Sequence, residues 1–388
     1  MKRVLFVQSS FQPPSGGHGV AAWMVEALRS DHRISLLTWD RPDFTAVDRF
    51  FGTNLSQGNF RLYSAPAIVR RTLGITPLRL GLLKHSYLTR RCRSLASDHD
   101  LIVTAGNEAD FGRRGIQYIH FPRLDRTRSR TDPEWYARVA SLVGLYHRLS
   151  ARLAGLSLER MKDNYTLVNS QWTATHVRHL HGIDSRVLRP PVAGGFPNVS
   201  WDERQNGFVC VGRISPEKEL DKVIDIIAGL RARGHQVSLH IVGTTDATAY
   251  CKHIRQRAQQ HSGWIRLEEN LSRDALTHLM ATNRYGLHGM SHEHYGMVVA
   301  EMVRAGCIPF VPRGGGQVEI VGEDDRLLYS APDEAIHKIE AVLRSPHAQS
   351  DLRLSLSKQA QELSTERFVE EWREIVQEYM AANAARRE

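Results

Sequence analysis

Short, uninterrupted apolar runs recur along the chain, separated by stretches in which apolar residues return every three or four positions. Residues 4–7, 34–38, 101–104, 116–119 and 166–168 read as buried strands of a first half. Residues 208–211, 237–242, 265–267, 285–288 and 308–311 read as those of a second half. Continuous apolar strands separated by amphipathic helices predict α/β parallel sheets covered on both faces. Between the halves, Arg189-Pro-Pro-Val-Ala-Gly-Gly-Phe-Pro concentrates chain breakers. The reading is therefore two Rossmann-like domains facing each other across a cleft: 1–190, a linker over 191–206, and 207–366. A final helix over 367–388 is placed back on the first domain. No short repeat or low-complexity segment interrupts this pattern. Ligands of such sheets sit at the carboxyl ends of the strands.

A chain of 388 residues is too long for one ordinary core, which agrees with two domains. Cys92, Cys210, Cys251 and Cys307 are too scattered for a zinc ribbon or a disulfide framework, so a reducing, cytoplasmic setting is expected. The start, MKRVLFVQSS, reads as a first strand rather than a signal peptide. The most apolar later stretch, 139–158, is interrupted by His147, Arg148 and Arg152 and falls short of a membrane span.

Charge changes the picture more. Residues 1–190 carry 28 basic and 15 acidic residues, a balance of +13, whereas the remainder carries 23 and 27, a balance of −4. That asymmetry predicts that the first half faces something anionic. Within 67–93, arginines alternate with Ile68, Val69, Leu73, Ile75, Leu78, Leu80, Leu82, Leu83 and Tyr87. The mixture suits peripheral contact with an anionic membrane surface. A core-facing helix with a solvated basic face is the competing reading. No helix-turn-helix, RNP or zinc-finger pattern accompanies the charge, so nucleic acid is not an expected partner.

Three segments carry candidate chemistry. Ser15-Gly16-Gly17-His18-Gly19 lies between the first strand and a helical pattern, where backbone N–H groups can approach an anion. It matches neither a dinucleotide fingerprint nor a P-loop, and a plain tight turn is an equal alternative. In the second half, a strand opens into Arg213-Ile-Ser-Pro-Glu-Lys218, where a planar guanidinium and a mobile ammonium can converge on a diphosphate. A solvated loop is the alternative. The third is Ser291-His-Glu293-His-Tyr-Gly296-Met-Val-Val-Ala-Glu301, in which Gly296 marks a turn into a helix. Met297, Val298 and Val303 are expected to face inward. If helical throughout, Glu293 and Glu301 would stand about 12 Å apart, enough to hold both ends of a nucleotide sugar. The helix start between them would point N–H groups at the phosphates.

Together these pieces, with Gly315-Gly316-Gln-Val-Glu319, resemble the retaining glycosyltransferases of family 4, which have the GT-B fold. Tyr118-Ile-His120-Phe-Pro122, Val168-Asn-Ser170-Gln-Trp172-Thr173, Pro190-Pro191 and His292-Glu-His-Tyr-Gly296 further resemble mannosyltransferases that extend lipid-linked oligosaccharides. The resemblance implies that Arg213 and Lys218 bind the donor diphosphate, Glu293 the donor sugar and Glu301 the ribose. It adds Gly16, Gly17, Tyr295, Gly296 and Met297 to the donor site and puts His120 beside the transferred sugar and the acceptor. It implies a GDP- or UDP-sugar donor with mannose as the expected hexose, a glycan or lipid-linked acceptor, no cofactor and no metal. The diphosphate would leave towards Arg213, Lys218 and the helix start, and could take the acceptor's proton as the hydroxyl attacks from the same face. Glu219 and Glu269 depart from the family by standing where Gly is common.

Other functions stay open at this point. His288, His292 and His294 with Glu293 could be ligands of a metal-dependent hydrolase. A GT-A transferase would need a DxD at a strand end, but Asp98-His-Asp100 precedes its strand. A sugar-nucleotide 2-epimerase shares the two-domain layout, and a non-catalytic carbohydrate-binding protein would share the recognition residues.

Overall fold

The computed structural model describes residues 1–12, 15–74, 81–122, 150, 152, 155, 157–244 and 248–385. The arginines at 123–130 and most of the stretch 139–158 lie outside the described residues. The chain divides into two compact units, Met1–Pro191 with Phe368–Glu388, and Val192–Arg367. Residues 192–206, read above as a linker, belong to the second unit. Val192 lies in that unit's core and its N–H bonds the Leu363 carbonyl at 3.1 Å.

The first unit is built on a seven-stranded parallel sheet, ordered β3-β2-β1-β4-β5-β6-β7. Its strands are β1 Lys2–Val7, β2 His32–Thr38, β3 Arg61–Ser64, β4 Leu101–Thr104, β5 Ile116–Ile119, β6 Tyr165–Val168 and β7 Arg186–Val187. Both faces are covered. Val4 and Phe6 point into one core cluster while Leu5 and Val7 point into another, as the two-residue period of a strand requires. The C-terminal helix Thr365–Ala385 supplies Phe368, Trp372, Ile375, Val376 and Tyr379 to the first of these clusters. Their three- and four-residue spacing is one apolar helix face.

Helix Gly81–Arg93 packs Leu88 and Cys92 against the other face, together with Leu5 and Val7. Tyr87, at this end of the segment 67–93, packs partly buried against the same cluster, as the competing amphipathic reading predicts. Ile68, in helix Ala67–Gly74, is 73% exposed. Residues 75–80 lie outside the described residues. Among the described residues no helix is long and apolar enough to cross a membrane.

The second unit has a six-stranded parallel sheet ordered β10-β9-β8-β11-β12-β13. The strands are β8 Gln205–Val211, β9 Ser238–Gly243, β10 Ile265–Glu269, β11 Asn283–Leu287, β12 Ile308–Pro312 and β13 Leu328–Tyr329. Phe208 and Cys210 face one core cluster, Val209 and Val211 the other. Chain order reverses between β8 and β11, so the loops after these strands diverge and leave a crevice at their carboxyl ends.

Candidate functional site

Three loops meet at that crevice, and glycines allow the meeting. After β8 the chain turns at Gly212, whose carbonyl presses so close to Gly243 that a Cβ there would stand 2.0 Å from it. A 3-10 turn, Pro216–Lys218, follows and ends at Glu219, which adopts the left-handed region at φ +49°. That conformation explains physically why glycine is common at this position. After β11, a Cβ on Gly289 would lie 2.5 Å from the Lys218 carbonyl. After β12, a Cβ on Gly315 would lie 2.1 Å from the Glu293 carbonyl, which also accepts the Gly316 N–H at 2.9 Å. The Gln317 side-chain amide donates to the carbonyls of Met290, Gly314 and Pro312 at 2.9, 3.0 and 3.2 Å. The loop carrying Glu293 is thus fixed from both sides.

Within it, Lys218 Nζ donates to Glu293 Oε2 at 2.7 Å and lies 3.4 Å from Met290 Sδ. His288 Nε2 stands 3.3 Å from the same carboxylate oxygen. Burial pushes the Glu293 carboxyl up, but the nearby His288 imidazole and the charge and hydrogen bond of Lys218 outweigh it. Its pKa is held well below the ordinary carboxylate range. Glu293 is therefore an ionised acceptor, and Lys218 is the cation paired with it.

Arg213 is placed differently. Its guanidinium is 73% exposed and bonds Glu217 Oε1 at 3.1 Å, one helical turn further on. The two cations expected to converge hold different carboxylates.

Helix Met297–Arg304 begins only after Gly296, which sits at φ +106°. The stretch from Glu293 is not helical throughout, so the 12 Å spacing expected from a continuous helix does not apply. The inward residues are Val299, Ala300, Met302 and Val303, whereas Met297 and Val298 are partly buried in the first turn. This turn has no acidic residue and no side-chain cap, so its leading N–H groups form a potential anion site. Tyr295 is packed into the core of the unit, 4% exposed.

Glu301 has a partner that the sequence did not reveal. Arg273 Nη1 bonds its Oε1 at 2.6 Å while Arg273 Nη2 bonds the Ala193 carbonyl at 2.7 Å. Burial still raises the Glu301 carboxyl above its ordinary value, against the pull of Arg273. Glu269, the other departure from the family pattern, forms a two-point pair with Arg255 at 2.7 and 3.2 Å.

In the first unit, Ser15 precedes helix Gly16–Leu28, so Gly16 and Gly17 occupy its first turn. A Cβ on Gly17 would lie 3.0 Å from His120 Nε2, so the glycine permits the imidazole's approach. His120 follows β5, and its Nε2 donates to the Ala105 carbonyl at 2.9 Å. This bond requires a proton on Nε2. Asn107 bonds the His120 N–H at 2.8 Å, and Asn169 bonds its carbonyl at 2.9 Å. Two residues on other loops therefore hold the His120 backbone.

The alternative metal set is not assembled. Among the described residues no three His, Cys, Asp or Glu side chains come together as ligands, and His288 is engaged with Glu293. His288, Gln317 and Arg273 are the supporting residues that residue reading missed: they hold Glu293, its loop and Glu301. Gln317 had a signal in its glycine-rich neighbourhood. Arg273 had none, because it reaches Glu301 from a separate helix.

Residues 196–363 match the family Glycosyl transferases group 1. A "GDP-Man:Man(3)GlcNAc(2)-PP-Dol alpha-1,2-mannosyltransferase" of Neurospora crassa is 26% identical over 288 residues, covering 62% of this chain and 49% of that protein. A protein of the same name from Dictyostelium discoideum is 26% identical over 53% of this chain and 44% of its own length. The chain spans about half the length of these curated relatives. Among solved structures, sucrose-phosphate synthase from Thermosynechococcus elongatus superposes with a TM-score of 0.70 at 14% identity, covering 98% of this chain and 100% of that one. Anabaena HepE, solved with UDP and glucose, gives 0.67 at 16% identity over 97% and 100%. WaaG, a glycosyltransferase involved in lipopolysaccharide biosynthesis, gives 0.65 at 14% identity over 94% and 98%. The fold is GT-B.

Proposed function

With residues 196–363 forming a group 1 glycosyl transferase domain, we propose that the protein is a retaining, metal-independent mannosyltransferase. It moves mannose from GDP-mannose to a hydroxyl of a glycan or lipid-linked acceptor. The observation that carries this reading is the Lys218–Glu293 pair, held beside an uncapped helix start at the carboxyl ends of β8 and β11. The curated relatives' names supply the GDP-mannose donor and a -PP-Dol acceptor.

The residues divide the work. Lys218 turns to the donor diphosphate, joined by the exposed Arg213 and the N–H groups that open helix Met297–Arg304. Glu293, ionised at neutral pH, accepts hydroxyls of the hexose. As the glycosidic bond breaks, negative charge grows on the diphosphate and these donors stabilise it without a metal. The acceptor hydroxyl attacks from the face the diphosphate leaves, and the departing phosphate oxygen takes its proton. Glu301 and Arg273 position the ribose end of the donor, and Gly17 and His120 serve the hexose and the acceptor.

Thermal unfolding with GDP-mannose, GDP, UDP-glucose and UDP tests the donor. Mass action predicts about 2.7 kcal/mol of stabilisation at a hundredfold excess over the dissociation constant. Stabilisation by the guanosine ligands, weakened in Lys218→Ala and unaffected by chelator, is the expected result. Response to UDP ligands alone would overturn the choice of donor. The anomeric coupling of the product, read by NMR, tests retention.

The basic first unit is assigned to an anionic membrane surface. Flotation with phosphatidylglycerol vesicles should exceed that with phosphatidylcholine and fall in Arg70→Glu/Arg71→Glu. Equal flotation on both lipids would sink this assignment.

A further inference from the structure

The second unit contains a cavity that the proposed reaction does not use. It lies at the opposite ends of the strands: Arg204 just precedes β8, Cys307 just precedes β12, and helix Pro346–Glu362 supplies Arg353, Leu354 and Ser357. Seven residues of β8 separate it from the Lys218 loop, about 23 Å at ~3.3 Å per residue. Its volume is about 540 Å³, within the range of small-molecule sites.

The cavity is strongly one-sided in charge. Arg204, Arg304 and Arg353 line it, and no Asp or Glu does. Arg204 Nε donates to the Val199 carbonyl at 3.2 Å, and its Nη1 is buried without a hydrogen-bond partner. Arg304 Nη1 donates to the Ala360 carbonyl at 3.3 Å, and its Nε is likewise buried and unpartnered. The Arg353 guanidinium lies over the Trp201 ring at 4.6 Å, and Arg284 faces the same ring at 5.4 Å. Among the described residues none of these four arginines has an ion-pair partner, although Arg233, Arg255, Arg257 and Arg273 in the same unit all do. The nearby carboxylate of Glu203 is turned to Ser200, accepting its N–H at 3.3 Å and its Oγ at 2.7 Å. Gly306, at φ +79°, makes room for Arg204: a Cβ there would meet Nη2 at 2.8 Å. Burial, with a smaller contribution from the Arg353 charge, lowers the Arg204 pKa.

Gathering like charges around one cavity with no carboxylate in its lining is unfavourable unless something anionic completes the group. Guanidinium forks arriving from three elements suit a tetrahedral oxyanion, whose oxygens accept in several directions, better than a planar carboxylate. We propose that this cavity binds a phosphate group through Arg204, Arg304 and Arg353, as a second site separate from the donor crevice. The phosphate is that of a soluble phosphorylated compound or of a lipid headgroup; Leu354 at the rim is 62% exposed.

The test is independent of donor identity. Inorganic phosphate is titrated against the whole protein by thermal shift, alongside Arg353→Gln, Arg204→Gln and the donor-crevice variant Lys218→Ala. Saturable stabilisation is expected in the wild type and Lys218→Ala, with apparent affinity at least about tenfold weaker in Arg353→Gln. Arg353 sits on a helix surface, so this variant keeps its fold, checked by circular dichroism, even if Arg204→Gln does not. Flotation on phosphatidylinositol phosphate vesicles forms the second arm, and its loss in Arg353→Gln identifies a headgroup as the source. Phosphate stabilisation that is equal in wild type and Arg353→Gln, or absent together with any Arg353-dependent flotation, overturns the proposal. Loss of stabilisation in Lys218→Ala with retention in Arg353→Gln does so too, because it puts the phosphate in the donor crevice.

Discussion

Two glutamates eight positions apart show how neighbouring residues of one motif acquire opposite electrostatics. Glu293 is drawn below its ordinary pKa by His288 and Lys218, whereas burial raises Glu301 despite Arg273. The linkage signs follow. A depressed carboxyl contributes stability that is complete above its unfolded value, 4.5, and is lost as pH falls towards the folded one. A raised carboxyl contributes stability present below 4.5 and lost as pH rises through the folded value. Glu293→Gln should therefore flatten the acid side of a stability-versus-pH profile, and Glu301→Gln the side above 4.5. Urea unfolding across pH 3–7 measures both, and profiles that match wild type would refute the two pairings. The sequence made Glu293 and Lys218 legible as chemistry, because their residue types and flanking glycines are local. It could not disclose that they pair with each other, since the contact spans two loops of different strands. Arg273 was hidden for the same reason.

At the scale of elements, the legible strands were, apart from the edge strand Ile265–Glu269, those buried in the sheets, whose apolar runs are nearly continuous. The strands missed, Arg61–Ser64, Arg186–Val187 and Leu328–Tyr329, lie at sheet edges or are only two residues long. Arg61–Ser64 has no buried residue at all, so no apolar run announces it. Loops were legible through glycine, but the reason for each glycine was not. Gly315 illustrates this: it looks like a turn residue, yet its main role is to let the Glu293 carbonyl approach. It also sits at φ +76°. Gly315→Ala should destabilise the second unit by about 3 kcal/mol, combining left-handed strain with a backbone clash. It should also weaken donor-induced stabilisation, because relief of the clash displaces Glu293. Gly263→Ala, where a Cβ has open space around it, is the matched control and should unfold like wild type.

On the scale of the whole molecule, chain order and domain order differ: the last helix completes the first unit. Trp372 is fully buried there and its indole N–H bonds the Met24 carbonyl at 3.1 Å, joining residues 348 positions apart. Arg373 Nε bonds the Ala27 carbonyl at 2.8 Å in the same helix of the first unit. The first sheet therefore does not finish its core until helix Thr365–Ala385 has docked. Trp372→Ala removes a large side chain from a cluster that includes Val4, Phe6 and Leu36, at a cost of about 3–5 kcal/mol. Hydrogen exchange resolves where that loss falls. Amides of β1 and β2 should exchange faster in the variant, while those of β8 and β9, whose core contains no residue of this helix, should keep their protection. Donor-induced stabilisation of the second unit should survive as well. Faster exchange spread equally over both sheets would show that the two cores unfold as one, and the division into separately stabilised units would fail.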